Sequence, residues 1–410
     1  MMSRGGRRFF VLIQSVFISA LLAFAFGSCG GDDRETGAVT YTFETVNEPG
    51  FCNPNNRYVW SMATFGDALY VGTYNLTSPL YIVMIVLHLM EPTPDWSEGT
   101  EVWRMDREGD WTRVVSGGFG GDPGNMGTRS LFAYDGRLYA STAKVGYGGG
   151  GGELWRTSDG ENWDRVVEAG FGDPDTLSLR GMAAFAGRLY LGAQNHVSGG
   201  KLWRSADGLS WETITDDGFG NPNNNLITNL SVIDGVLWAT TTNQTDGAEI
   251  WRSADGLLFE PAAVGGICNP NNGAINFIIA FRGDLYAGTS NYVQGCEIYR
   301  SRGRGTWEKV FSGGGGHWSQ WLAWRATVYD GMLLVGTFDS GLPAKIMREG
   351  GRVYGTRDGE TWAVIGEDGL GDERSYGVRT FAEFDGDLYI GMTGQLVGCR
   401  VVRMVEVPAR

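Results

Sequence analysis

The sequence predicts an all-β fold, a seven-bladed β-propeller of four-stranded antiparallel blades that occupies residues 39–410. Three observations lead to this prediction. The chain of 410 residues contains 65 Gly with 15 Trp, 16 Tyr and 20 Phe, which is typical of many short strands joined by tight turns. A turn motif recurs about every 48 residues, and a strand motif occurs seven times. Because 42% of the residues are hydrophobic, a disordered chain is excluded.

The turn motif reads Ser/Thr-x-Asp-Gly-x-x-Trp. It is clearest at 157–163 and 205–211, and it returns at 253–259 with Phe259 in the last place. Asp accepts nearby backbone N–H groups and Gly supplies a positive φ, so this pair favours a tight turn. The closing aromatic ring adds apolar area that packs the turn onto the sheet. The strand before the turn carries an aromatic residue at a spacing of 48, namely Trp155, Trp203, Trp251 and Tyr299.

This motif resembles that of the Asp-box (BNR-repeat) proteins, which include sialidase-like propellers. The resemblance extends over essentially the whole chain after its N-terminal segment, and it implies the propeller fold. It implies no single activity, because Asp boxes occur in enzymes and in binding proteins.

The strand motif gives the number of blades. A Leu followed by a large apolar residue comes after an Asp- and Gly-rich turn seven times, at Leu69, Leu138, Leu189, Leu237, Leu285, Leu333 and Leu388. The last repeat stops after its third strand, whereas residues 40–46 alternate like a fourth strand. We therefore expect the N-terminal strand to complete the seventh blade, which leaves no unpaired edge. The alternative is six blades, in line with six copies of the turn motif.

The N-terminal segment is predicted to direct export. Arg4, Arg7 and Arg8 precede an apolar stretch, which is typical of a signal peptide over residues 1–28. Small residues before Cys29 resemble the lipobox of bacterial lipoproteins. The resemblance implies lipidation of Cys29, a tether over 29–38 and a lipid anchor on the bacterial cell envelope as the only membrane contact. The alternative is a freely secreted or periplasmic protein.

The remaining cysteines and the net charge bear on partners. In an exported protein four cysteines permit two disulfides, and their places in the predicted blades favour Cys268–Cys296 and Cys52–Cys399. A formal net charge of -14 argues against nucleic acid as a partner. We expect a monomer.

Residues that depart from the repeat are the better candidates for function. One position near the start of the first strand of each blade is never aliphatic: Trp60, Arg129, Arg180, Thr228, Asn276, Trp324 and Arg379. The three arginines could contact carboxylate, sulfate or phosphate groups at the mouth of a central channel. They resemble in kind the arginine triad of sialidases. The alternative is that they neutralise neighbouring acids such as Asp122.

The sixth repeat adds aromatic residues and one more cation to these candidates. Trp318, Trp321, Trp324 and Arg325 fall within eight positions, and flat aromatic faces suit contact with sugar rings. The alternative is that these tryptophans belong to the core. The predicted ligand-binding set is therefore Arg129, Arg180, Arg379, Trp60, Trp318, Trp321, Trp324 and Arg325.

No catalytic or metal site stands out in the sequence. His88, His196 and His317 lack ligand spacing, so we expect no metal, with Ca²⁺ on the Asn-rich loops as the alternative. A glycosidase needs two carboxylates, for which Asp122, Asp173, Asp217, Asp339 and Asp372 are candidates.

The sequence favours a non-catalytic, envelope-anchored propeller that binds a glycan or an envelope component. A sialidase-like glycoside hydrolase or polysaccharide lyase acting on acidic sugars is the second hypothesis. A scaffold for envelope assembly, acting through the apolar loop Leu80–Met90, is the third.

Overall fold

The computed structural model describes residues 40–77, 97–144, 150–303, 305–339, 350–394 and 397–407. These residues belong to one compact unit, Thr40–Pro408. A second unit, formed by Met1–Val39 with Ala409–Arg410, lies outside the described residues.

Several predictions therefore fall outside what the structure describes. The signal peptide over 1–28, the lipidation of Cys29, the tether over 29–38 and the loop Leu80–Met90 are all among them. In the part of the chain that is described, no helix has the length and apolar character needed to cross a membrane.

The described residues form an all-β structure, as the sequence predicts. Twenty-eight strands make one antiparallel network, and helix is limited to single turns. These turns are Pro49–Cys52, Phe119–Gly121, Ala169–Gly172, Gly265–Cys268, Gly313–Gly316 and Asp368–Gly371.

Fourteen strands form a closed inner ring, made of seven hairpins. The first strands of the hairpins are β2 (Asn56–Phe65), β6 (Asn125–Tyr134), β10 (Thr176–Phe185), β14 (Leu226–Ile233), β18 (Asn272–Phe281), β22 (Gln320–Tyr329) and β26 (Gly377–Phe384). The second strands are β3 (Ala68–Asn75), β7 (Arg137–Lys144), β11 (Arg188–Asn195), β15 (Val236–Thr242), β19 (Asp284–Asn291), β23 (Met332–Asp339) and β27 (Asp387–Thr393). Each second strand also pairs with the first strand of the next hairpin, and Tyr58 on Thr393 closes the ring.

Two outer strands extend each hairpin into a four-stranded unit. The third strands are β4 (Val102–Met105), β8 (Leu154–Thr157), β12 (Lys201–Ser205), β16 (Ile250–Ser253), β20 (Ile298–Ser301), β24 (Val353–Thr356) and β28 (Val401–Val407). The fourth strands are β5 (Trp111–Val115), β9 (Asp164–Val167), β13 (Trp211–Thr215), β17 (Glu260–Ala263), β21 (Glu308–Phe311), β25 (Ala363–Gly366) and β1 (Thr40–Thr45).

The N-terminal strand completes the last unit. β1 pairs antiparallel with β28 along its whole length, from Thr40 on Val407 to Thr45 on Val402. This confirms the predicted pairing of the chain's first strand with its last. Strand pairing thus gives seven four-stranded units in the described residues, numbered 1 to 7 from the unit that begins with β2.

The core lies between neighbouring units. Tyr70 and Val102 of unit 1 pack with Leu131 and Leu138 of unit 2, and each of these side chains is at most 5% exposed. Burial of apolar area at about 25 cal/mol per Å² makes these interfaces the main source of stability.

The repeated turns between third and fourth strands have the bonding that their residues predict. The Asp159 carboxylate accepts the backbone N–H groups of Glu161 and Asn162, and Thr157 Oγ1 accepts that of Gly160. The equivalent bonds recur at Ser205–Asp207, Ser253–Asp255 and Thr356–Asp358.

A buried polar contact ties the inner and outer strands together. Asn125 and Trp155 both donate to one oxygen of Glu153, at 2.8 and 2.9 Å. The same set recurs as Asn56–Glu101–Trp103, Asn224–Glu249–Trp251 and Asn272–Glu297–Tyr299. Because these groups bond one another, they are scaffold.

Candidate ligand-binding site

The seven positions singled out in the sequence are β-bulges. In unit 1, Val59 faces Thr73 and Ser61 faces Gly72, so Trp60 is one residue more than its partner strand has. The same break in register falls at Arg129, Arg180, Thr228, Asn276, Trp324 and Arg379. A bulge redirects a side chain away from the regular alternation of a strand. The innermost strand of every unit therefore has an irregularity at the position where the repeat varies.

Four arginines come together around the inner ring. Arg129 and Arg180 lie on units 2 and 3, whereas Arg325 and Arg379 lie on units 6 and 7. The positive charges of Arg129, Arg325 and Arg379 all lower the pKa of Arg180, after burial, which is the largest cause. Arginines on units that are not neighbours in the ring are thus close enough to repel one another. The structure brings together all four arginines of the predicted set.

Within the described part of the chain, no carboxylate pairs with these arginines. Arg129, Arg180 and Arg379 form no hydrogen bond or ion pair with any described residue, and the Nε of each is buried without a partner. Arg379 also leaves Nη1 unbonded although only 1% of the residue is exposed. Arg325 donates to the backbone oxygen of Asn276 at 3.2 Å. The alternative that these arginines neutralise nearby acids such as Asp122, Asp173 and Asp372 is therefore wrong.

Burial lowers the pKa of all four arginines, and repulsion from other arginines lowers those of Arg129, Arg180 and Arg379 further. The pKa of Arg129 falls to about 9, through burial and then the charge of Arg325. Burial lowers the pKa of Arg325 to about 10. Arg379 is lowered well below its ordinary pKa by burial and by the charges of Arg325 and Arg129. A negatively charged ligand would relieve all of these effects.

Two of the arginines lie on tryptophan rings. The Arg129 guanidinium is 4.2 Å from the Trp60 ring centroid, and that of Arg379 is 4.5 Å from Trp324. A Cβ on Gly127 would overlap the Trp60 ring, and one on Gly377 would lie 2.8 Å from the Trp324 ring. Both tryptophans are 8% exposed, so they hold arginines rather than offer open faces to a sugar. The expectation that Trp60 and Trp324 contact a sugar ring is corrected to this positioning role.

A cluster of tyrosines that the sequence reading missed surrounds the two tryptophans. The Tyr58 ring lies 6.1 Å from Trp60 and 6.2 Å from Trp324, so it bridges the two Trp–Arg pairs. Tyr74 and Tyr376 pack against Tyr58, at 5.1 and 6.0 Å. The signal for Tyr58 was its place two residues before Trp60, which puts both side chains on one face of a strand.

Of the other two predicted tryptophans, Trp321 is linked to Arg180 through Tyr292, whereas Trp318 is an exposed residue that precedes the first strand of unit 6. The Tyr292 ring meets Trp321 edge to face at 5.3 Å, and the charge of Arg180 acts on the Tyr292 hydroxyl. Trp318 is 54% exposed and Tyr292 41%, whereas Trp321 is partly buried with an unbonded Nε1. Open aromatic surface is therefore present at Trp318 and at Tyr292, of which Tyr292 interacts with Arg180.

The candidate carboxylates for catalysis are occupied by scaffold contacts. Asp122 pairs with Lys144 at 2.8 Å, Asp173 with Lys201 at 2.6 Å and Asp372 with Arg374 at 2.8 Å. Burial raises the pKa of these three carboxyls, but hydrogen bonds from the cations and from the backbone, together with the cation charges, outweigh it, so each pKa is lowered.

The last two candidates are also engaged. Backbone and Thr215 hydrogen bonds lower the pKa of Asp217, and Asp339 accepts the backbone N–H of Gly350. A lowered pKa is unsuited to a general acid, which has to keep its proton near neutral pH.

The Asn-rich loops form turns through their own side chains. Asn53, Asn221 and Asn269 each accept the backbone N–H two residues ahead. Among the residues described, no group of three His, Cys, Asp or Glu side chains is arranged to hold a metal ion.

The four described cysteines are free thiols, so neither predicted disulfide is formed in this structure. Cys399 lies against the turn that contains Cys52, because Gly50 donates to its backbone oxygen. Cys296 accepts instead from Gly314, while the turn with Cys268 bonds to Ala248. Cys268 and Cys296 belong to the same unit, as the sequence predicts. The turn that contains Cys268, however, bonds to the residues just before the third strand of the preceding unit and not to Cys296. The pair Cys52–Cys399 stays a prediction.

Comparison with known proteins yields distant structural likenesses alone. No family model and no curated protein matches the chain. A luciferin-regenerating enzyme is similar at 11% identity over 89% of this chain and 95% of its own, with a TM-score of 0.44. An α-L-arabinofuranosidase from Clostridium thermocellum is 13% identical over 62% of this chain and 93% of its own, with a TM-score of 0.36. A family 117 glycoside hydrolase from Zobellia galactanivorans is 13% identical over 55% and 76%, also at 0.36.

Proposed function

We propose that this chain is a seven-bladed β-propeller that binds an acidic ligand at its central arginines without turning it over. The observation that carries the proposal is the convergence of Arg129, Arg180, Arg325 and Arg379, which contact no carboxylate of the residues that the structure describes. The seven units and the closing strand support the propeller. The repeated Asp-Gly turns support kinship with Asp-box proteins.

The physical argument concerns the cost of burying charge. An ionised group removed from water is destabilising unless it is paired and hydrogen bonded. Arg180 and Arg379 are 7% and 1% exposed and have no hydrogen-bond or ion-pair partner among the described residues. A ligand carrying carboxylate, sulfate or phosphate would supply the missing partner through forked, charge-assisted hydrogen bonds.

The aromatic surface beside the arginines favours a ligand with a sugar component. The Tyr292 ring packs against Trp321, and the charge of Arg180 acts on the Tyr292 hydroxyl. Trp318 is exposed and lies in the turn before the first strand of unit 6. An acidic glycan would place its anionic group on the arginines and its ring against Tyr292 and Trp318. A glycan or another acidic envelope component is therefore the partner we propose.

Hydrolysis or elimination is the weaker candidate. Glycosidases use two carboxylates, one of which must act as an acid. Each of the five candidate carboxylates accepts hydrogen bonds from the scaffold, and four have a lowered pKa. Export and a lipid anchor at Cys29 are part of this proposal, whereas a scaffold for envelope assembly, acting through the Leu80–Met90 loop, is a separate third candidate.

Binding of acidic oligosaccharides tests the proposed function. Isothermal titration calorimetry compares sialylated and uronic acid oligosaccharides with neutral ones, on the wild type and on the Arg180→Gln/Arg379→Gln variant. We expect binding of acidic ligands alone, reduced by a factor of about 10 or more in the variant, because each arginine pair loses one charge-assisted contact. Released reducing ends, measured after prolonged incubation, should stay at background.

Arg107→Gln is the matched control, since it removes one surface arginine that pairs only with exposed Asp67. Equal affinity of the wild type and the double variant for every acidic ligand would refute the site. Turnover of an acidic glycan would favour the hydrolase or lyase instead.

A further inference from the structure

The four arginines form two pairs on opposite arcs of the ring. Arg129 and Arg180 occupy the adjacent units 2 and 3, and Arg325 and Arg379 occupy the adjacent units 6 and 7. Unit 1 separates the pairs on one side, and units 4 and 5 separate them on the other. The charge of Arg325 acts on Arg129, and that of Arg379 on Arg180, so the two arcs face each other.

The neutral positions between the pairs are already bonded within the protein. Thr228 shares a hydrogen bond of 2.8 Å with Thr242. Asn276 donates to Ser290 Oγ at 2.8 Å and to the backbone oxygen of Ala323 at 3.0 Å. Among the seven bulge positions, the buried polar atoms without a partner therefore belong to Arg129, Arg180 and Arg379.

The Trp–Arg contacts fix the orientation of one arginine in each pair. Arg129 on Trp60 and Arg379 on Trp324 are two copies of one arrangement, each with a Gly two residues before the arginine. Contact with a ring face stabilises the guanidinium plane but leaves its N–H edge available for hydrogen bonds. Each arc therefore contains one guanidinium that is held against a tryptophan ring.

We propose, on the basis of the proposed function, that the site takes a compact ligand bearing two or more negative charges, one for each arginine pair. A single carboxylate can engage one arc and leaves the other pair uncompensated. Polycarboxylates, phosphate or sulfate esters and doubly charged acidic sugars share the required chemistry. A long polyanion does not fit, because the chain as a whole has a net charge of -14 and its exterior repels further acidic groups.

Binding of anions of graded charge to the full chain tests this inference. Calorimetry at constant ionic strength compares acetate and glucuronate with sulfate, inorganic phosphate, pyrophosphate and citrate. We expect pyrophosphate and citrate to bind at least about tenfold more tightly than glucuronate, because a second anionic group engages a second arginine pair. A sulfated oligosaccharide chain should bind no more tightly than citrate.

Removing one arc provides the second comparison. The Arg325→Gln/Arg379→Gln variant should bind citrate only as tightly as it binds glucuronate. Its affinity for glucuronate should differ from that of the wild type by less than about threefold. Arg107→Gln should leave both unchanged, and circular dichroism with thermal unfolding verifies that each variant is folded.

The outcomes separate the two proposals. If the wild type binds glucuronate as tightly as citrate, or the sulfated chain more tightly, the inference about charge and size is overturned while acidic-ligand binding stands. If neither acidic glycans nor these anions distinguish the wild type from its arginine variants, the proposed function is overturned as well.

Discussion

Two buried arginines, one in the outer part of the ring and one at its centre, have opposite surroundings. Arg300 on the third strand of unit 5 is 5% exposed and pairs with Glu308 at 3.1 Å and Glu360 at 3.0 Å. Hydrogen bonds to these acids outweigh burial and raise its pKa. Arg379 is 1% exposed, pairs with no acid among the residues that the structure describes, and has a lowered pKa.

The difference between the two arginines indicates that separate sets of residues stabilise the fold and form the candidate site. In the outer strands and turns the repeated residues satisfy one another, as in the Asn125–Glu153–Trp155 contact. At the bulges of the inner strands the residues vary between units, and the charges there remain uncompensated. Repetition marks the scaffold, and departure from the repeat marks the candidate site.

The largest expected effect concerns the outer turns. Gly256 has φ +75°, and a Cβ there would overlap the Tyr190 hydroxyl of the neighbouring unit. Gly256→Ala should lower the free energy of unfolding by about 3 kcal/mol, as left-handed strain and overpacking add together. Gly235→Ala is the control, because its φ of +72° is nearly the same and nothing lies within 4 Å. It should cost about 1 kcal/mol. If urea unfolding showed the same loss of unfolding free energy for Gly256→Ala and Gly235→Ala, the packing role of this turn would be contradicted.

The next effect has opposite signs in the two regions. Arg300→Met should destabilise the ligand-free protein by about 2 kcal/mol, because charge-assisted hydrogen bonds are lost. Arg379→Met should stabilise it by about 1 kcal/mol, since an uncompensated buried charge is replaced by a flexible apolar chain and the contact with Trp324 is partly kept. Urea unfolding without added anions measures both changes. A loss of stability in Arg379→Met would mean that Arg379 has a structural role like that of Arg300.

The smallest effect is the acid response of the outer region. Burial raises the pKa of Glu297, but hydrogen bonds from Lys309, Tyr299, Asn272 and Asn269 outweigh it, so its pKa lies below the ordinary 4.5. A lowered pKa contributes stability above the unfolded value, and this contribution is lost as the pH falls through the folded value.

Glu297→Gln should therefore flatten the fall in stability below about pH 4.5, by about 1 kcal/mol relative to wild type. Urea unfolding between pH 3 and pH 7 measures this slope. An unchanged slope would show that other carboxylates dominate the acid response.

Much of the fold could be predicted from the sequence, because each unit carries its own local signals. The Asp-Gly turns at 159–160 and 207–208 are specified by the backbone bonds that Asp accepts and the positive φ that Gly allows. Alternation in residues 40–45 indicated a strand, and its partner followed from the missing fourth strand of the last repeat.

Less of the candidate site could be predicted, because it depends on contacts between units. The variable position that includes Arg129 and Arg379 was visible as a break in the repeat. The contact of the Trp60 ring with Arg129 joins units 1 and 2, so it could not be predicted from either repeat alone. It could not be predicted either that the described residues place no acid on these arginines. Asp122, for example, pairs with Lys144 of its own unit, a contact that depends on how the strands are arranged in the ring.

The contact between β1 and β28 has a consequence for how the molecule assembles. Its side-chain bonds join residues 354 to 359 positions apart, as in Arg403 with Glu44 and Val401 with Asn47. Closing so long a loop has a large entropic cost that no local contact offsets, so the junction between the first and last units forms late in folding. Tyr58, Trp324 and Arg379 meet at that junction. The arginine site is thus complete only once the ring has closed. An anion that binds there would bind the closed ring in preference to any partly folded chain, and so would stabilise the closed ring.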